Sequence, residues 1–127
     1  MTPKFRAWNK IKKRMFLVLE IDYENELVSD ETYWNTIPFD DVKLMQSTGL
    51  KDKNDKEIYE GDIIKDSEDF IAQVVYDKEY AGFGLNYQPF DLTEGLSVTF
   101  EELKNEYRNT FEIIGNIYEN PELLEGE

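Results

Sequence analysis

The apolar residues of this chain fall in short runs separated by clusters of Asp, Asn, Glu, Lys and Gly. Short runs rich in β-branched and aromatic residues, bounded by turn formers, predict strands rather than helices. Within "KFRAWNKIKKRMFLVLEI" (residues 4–21), "FRAW" and "MFLVLEI" predict a hairpin. The polar "NKIKK" joins them, with Asn9 as the turn residue. The next stretch, "DYENELVSDETYWNTIPF", is mixed: Leu27-Val28 and Tyr33-Trp34 are apolar islands among acids, and Pro38 marks a break. "DDVKLMQST" predicts a short strand, and "DIIK" and "FIAQVVYD" predict two more. "FGLNY" returns after "DKEYAG", so residues 70–87 predict a second hairpin. In "SVTFEELKNEYRN", Thr99 with Glu102 matches a capping box and predicts a short helix. "TFEIIGNIYEN" predicts the last strand, and Asn120, Pro121 and Glu122 predict a closing helical turn. The sum is a mostly β, or β-rich α+β, fold with a small barrel.

Composition narrows the chemistry. The chain has 127 residues, enough for one compact domain or two small subdomains. Hydrophobic residues are 40% and aromatic residues 14%, which supplies a core and argues against wholesale disorder. There is no cysteine and no histidine. Disulfides, thiolate metal sites and Ser-His or Cys-His catalysis are therefore excluded, along with the commonest general base near neutral pH. No signal-peptide pattern opens the chain, and "MFLVL" is far too short to cross a bilayer, so a cytoplasmic protein without membrane contact is expected.

The net charge of −14 is unevenly placed. Residues 1–14 hold six bases (Lys4, Arg6, Lys10, Lys12, Lys13 and Arg14) and no acid, which leaves eight bases against all 28 acids in the remainder. The two parts therefore carry +6 and −20. The acidic part repels phosphate backbones, while Lys10, Lys12, Lys13 and Arg14 cluster at the predicted hairpin tip as a candidate nucleic-acid contact. A solvated turn whose lysines discourage strand pairing is the plainer alternative.

The stretch "GLKDKNDKEIYEGDIIK" (residues 49–65) fails as a calcium loop of the EF-hand type. Counted from Asp52, a lysine (Lys56) stands where an oxygen ligand belongs, Glu57 where the glycine belongs and Ile63 where the bidentate acid belongs. No Gly-rich phosphate loop occurs; "GFG" at 82–84 reads as a strand bend or bulge. Glu60 and Asp62 are the least poor carboxylate pair for a Mg²⁺ site, because residues two apart on a strand share a face. In a chain this acidic such pairs arise by composition alone. The stretch reads best as a turn feeding a strand, with Gly61 supplying an unusual backbone angle.

Three segments carry a resemblance. "LMQSTGLKDKNDKEIYEGDIIK" (Leu44 to Lys65), "KFRAWNKIKKRM" near the start and "FEIIGNIYENPELL" (Phe111 to Leu124) resemble, in order, the signature segments of the YopX family of phage and prophage proteins. Asn9 stands where that family usually has Asp, and Asp55 where it has the turn Gly, so Asp55 must accept a left-handed conformation. The resemblance implies an N-terminal β-hairpin subdomain serving oligomerisation (residues 1–48) and a C-terminal SH3-like barrel subdomain (residues 49–127). It implies structural roles for Ile58, Tyr59, Ile63, Ile64 and Tyr118, and backbone-geometry roles for Gly61 and Gly115. No catalytic residue, cofactor or metal comes with it.

The functional expectation is a non-catalytic, phage- or prophage-encoded small protein that binds a host or phage protein or assembles with itself, as a homo-oligomer. The alternative is an accessory protein that contacts nucleic acid through the basic tip or mimics DNA with its acidic surface.

Overall fold

The structure is a computed structural model that describes residues 4–32, 35–79, 81–87, 98–99 and 110–125. Two antiparallel sheets carry it, and the chain divides into two compact units, Met1–Ser47 and Thr48–Glu127.

In the first unit, β1 (Phe5–Asn9) and β2 (Arg14–Asp22) form the predicted hairpin, followed by β3 (Leu27–Asp30) and β4 (Thr36–Pro38). After a 3₁₀ turn at Phe39–Asp41 comes β5 (Val42–Lys51), which returns beside β1 to give the order β4-β3-β2-β1-β5. The register decides which side chains share a face. Ala7 lies opposite Phe16 and Asn9 opposite Arg14 and Val42, while Val18 faces Asp30 and Val28 faces Ile37. That face buries Ala7, Phe16, Val28 and Val42, with Val18, Ile21, Ile37 and Phe39 packed against them. The pairing of β2 with β3 slips between Val18 and Glu20, which marks a bulge at Leu19.

β5 continues into the second unit, where its last residues lie beside β6 (Glu57–Tyr59). Thr48 Oγ1 donates to the Ile58 carbonyl at 2.6 Å. The other sheet contains β7 (Asp62–Lys65), β8 (Ile71–Asp77), β9 (Gly82–Tyr87), β10 (Val98–Thr99) and β11 (Glu112–Asn116), in the order β10-β9-β8-β7-β11. Its core is Ile58, Ile64, Ala72, Val74, Leu85 and Phe111. Tyr76 and Phe83, opposite each other on β8 and β9, extend that face as an edge-to-face pair 5.3 Å apart.

Two expectations need correction. The SH3-like barrel is not closed: among the described residues the sheet is a linear ladder whose end strands, β10 and β11, each have one partner. Short strands with alternating burial look alike in sequence whether a sheet is open or closed, because closure is set by register and shear. Helix is confined, among the described residues, to 3₁₀ turns at Phe39–Asp41 and Pro121–Glu125. Of the predicted capping-box helix only Thr99 is described, at the end of β10 opposite Gly84, and its body lies outside the described residues. So do the Tyr33-Trp34 island and the "QPFDLTEG" loop. The closing turn is present, but Asn120 does not cap it by its side chain: Asn120 Oδ1 turns back to accept the Asn116 N–H at 3.2 Å.

The connections share one construction. Every non-glycine residue of positive φ among those described, namely Lys13, Glu26, Asp55, Asp69 and Ala81, ends a turn opened by Asn or Asp. Asn9 Oδ1 accepts the N–H groups of Ile11 and Lys12, and Lys13 N–H bonds to the Asn9 carbonyl. Asp77 heads a turn of the same length ending at Ala81. Asp52 and Asp66 head two matching shorter turns, each accepting two N–H groups through Oδ1. Asp22 takes the Asn25 N–H in the remaining one. The side-chain oxygen satisfies the turn's inward donors, and the left-handed closing residue matches the right-handed twist of the strands. Part of the acidity of this chain is thus turn chemistry.

Candidate functional site

The four predicted contact residues sit together at the β1–β2 tip. Lys10, Lys12, Lys13 and Arg14 are all exposed there, with Ile11 among them at 70% exposure. The tip is rigidly built. Besides the Asn9 bonds, Lys10 N–H donates to the Asp41 carbonyl at 2.9 Å, tying the tip to the 3₁₀ turn before β5.

Beside the tip is an open cleft of about 230 Å³. Lys12 and Arg14 line it with Asp30 and Asp41; Phe16, Ile37, Pro38 and Ile11 supply its apolar surface. The register explains the mixture. Arg14, Phe16, Asp30 and Ile37 project from the same face of the sheet, so the cleft is where the apolar face runs out at one end. Asp30 is buried and fully engaged. Its Oδ1 accepts Thr32 Oγ1 at 2.6 Å and Thr32 N–H at 3.0 Å, and its Oδ2 accepts Asn35 Nδ2 at 2.8 Å. The Thr32 and Asn35 donors, aided by the nearby Arg14 charge, hold this carboxyl below the usual aspartate value despite burial.

Two of the four cations therefore face carboxylates, which sequence separation hid. Asp30 and Asp41 lie 16 and 27 positions beyond Arg14, and only strand pairing brings them to the tip. The one local signal was the pattern Asp30-x-Thr32, an Asx turn in which a carboxylate fixes its own loop.

The other acids singled out by sequence are structural. Asp52 is buried: Oδ1 takes Asn54 N–H and Lys56 N–H, and Oδ2 takes Ile113 N–H at 3.0 Å. Burial pushes its carboxyl up, but the donors from Ile113, Lys56 and Asn54 outweigh burial and leave it below the ordinary value. Asp62 is also buried and accepts the Tyr59 N–H at 2.8 Å. Glu60 and Asp62 do not share a strand face, because Glu60 and Gly61 form the turn between β6 and β7. Among the described residues no three Asp or Glu side chains converge as a metal site. No helix of the described residues is long and apolar enough to cross a membrane.

These features define a small, mostly β protein of two antiparallel sheets, with Asx-led turns and a basic hairpin tip. The family model described as YopX protein matches residues 4–125, nearly the whole chain, and the chain belongs to the YopX family. Among solved structures it is similar to protein EF1440 from Enterococcus faecalis, with a TM-score of 0.67 and 30% identity over 98% of this chain and 99% of that one. No curated protein matches.

Proposed function

We propose that this protein is a non-catalytic binding module whose first unit docks on protein surface, foremost on further copies of itself. The observation that carries this reading is on β2, where Leu17 and Leu19 stand 55% and 47% exposed. Arg6, Trp8, Met15 and Leu17 share the sheet face opposite Ala7 and Phe16. Ile11 and Tyr23 add exposed apolar surface at the two ends of β2. Exposed aliphatic and aromatic side chains set among charged ones are the usual raw material of a protein interface. A protein encoded by a phage or prophage and working in the host cytoplasm fits this role.

The test is the mass in solution by sedimentation, for the wild type and for a Leu17→Glu, Leu19→Glu double variant. The wild type is expected to associate, and the variant to sediment as a folded single chain. A wild type that stays monomeric at high concentration rules out self-assembly.

The exposed cations of the tip favour a second reading, contact with nucleic acid. Asp30 and Asp41 beside Lys12 and Arg14 count against it, since they leave the cleft near electroneutrality, which suits one anionic group but not the run of phosphates in a nucleic-acid backbone.

A further inference from the structure

We propose that the cleft beside the β1–β2 tip binds an aliphatic amino-acid residue by its free α-carboxylate, with Arg14 and Lys12 holding the carboxylate and Phe16 and Ile37 holding the side chain. The proposal deepens the binding-module reading and rests on it. It names what the module would recognise.

Four observations lead there. The cleft joins apolar surface to two cations. Arg14 and Lys12 make no ion pair within 4.0 Å among the described residues, although the Arg14 charge is felt at Asp30. The cleft is small: its 230 Å³ lies below the range of about 300–1,000 Å³ typical of drug-sized ligands, which suits a group of the size of one amino-acid residue. Finally, the Asp41 carboxylate has no partner among the described residues, whereas Asp30 is engaged by Thr32 and Asn35. Asp41 is thus the acceptor for the N–H or ammonium that accompanies an α-carboxylate. A planar guanidinium matches a carboxylate in two parallel hydrogen bonds.

The same chemistry occurs in a free aliphatic amino acid and at the carboxyl end of a peptide. Isotope-labelled full chain would be titrated with leucine, N-acetyl-leucine, leucinamide and acetate, following backbone amide resonances. N-acetyl-leucine is expected to give saturable shifts confined to residues 9–16, Asp30 and residues 35–41. Arg14→Gln is expected to weaken this about tenfold, the loss of one charge-assisted contact, with the remaining resonances unmoved. Lys12→Gln is expected to act in the same direction. If leucine binds as well as N-acetyl-leucine, the source is the free amino acid; if it binds more weakly, the source is a chain end. Either supports the carboxylate site. Leucinamide or acetate binding as tightly as N-acetyl-leucine overturns it, as do shifts indifferent to both substitutions or an absence of shifts. The sedimentation test on Leu17 and Leu19 involves no cleft residue, so failure here and failure of self-assembly are told apart.

Discussion

The Asp52 carboxylate accepts the backbone N–H of Ile113 at 3.0 Å across 61 residues of sequence, while its other oxygen holds the turn that follows β5. One side chain thus builds a local turn and fastens the last strand to it. Lys53 N–H donates to the Phe111 carbonyl at 2.8 Å beside it, so the attachment is two-sided.

Replacing Asp52 by Ala leaves three buried or half-buried N–H groups without their acceptor. The expected loss is about 3 kcal/mol, given that hydrogen bonds to charged groups contribute about 1.5–3 kcal/mol each and water partly compensates. Urea denaturation at neutral pH measures it. The carboxyl is held below its unfolded value, so its contribution is present above the unfolded pKa of about 3.9 and is lost as pH falls through the folded one. The wild type is therefore expected to lose stability below about pH 4 more steeply than Asp52→Ala.

Asp55 and Ala81 both have positive φ, at 66° and 62°. Glycine at either position relieves the left-handed strain but adds unfolded-state entropy. Aspartate tolerates this conformation better than alanine does. Asp55→Gly is expected to gain about 0.5 kcal/mol and Ala81→Gly about 1 kcal/mol. The Lys51–Asp55 pair lost with Asp55 is exposed and contributes little. Thermal midpoints of the two variants order them.

Gly115 is set by space. A Cβ there would lie 2.5 Å from Asn120 Oδ1 and 3.0 Å from Asn120 Cβ. Gly115→Ala is expected to cost about 2 kcal/mol, as overpacking does. Asn120→Gly removes the obstacle, so the double variant is expected to be more stable than the two single losses summed. Additivity in that cycle would show that the contact is not the cause.

Ile64 is fully buried on β7 in the core of the second sheet, whereas Leu17 is exposed. Ile64→Ala is expected to cost about 4 kcal/mol and Leu17→Ala less than about 0.5 kcal/mol in the monomer. If Leu17→Ala instead destabilises in a concentration-dependent way, it lies in an interface between copies.

Much of the strand pattern was legible. The 4–21 and 70–87 hairpins follow from apolar runs around polar turns, and Asp55 does take the left-handed conformation expected of it. Ile58, Tyr59, Ile63 and Ile64 are buried as the resemblance implied. β5 runs further than its sequence signal, to Lys51, because β1 and β6 pair with it and local propensity is overridden by partners. Asp52, whose surroundings already fail the calcium-loop pattern, is a structural acceptor. Oxygen ligands and turn acceptors are the same residue types, and only the position of donors tells them apart. Asp30 and Asp41 gave no sign of meeting Lys12 and Arg14.

By itself, the sequence determined the strand-and-turn character of this protein, its freedom from histidine and cysteine chemistry, and its basic tip on an acidic chain. Those properties depend on period, composition and neighbours a few residues apart. The tertiary structure alone decided that the second sheet is open among the described residues, that carboxylates temper the tip, and that a small open cleft lies beside it. Each of these depends on strand register, which couples residues far apart in the chain through hydrogen bonds that no local pattern encodes.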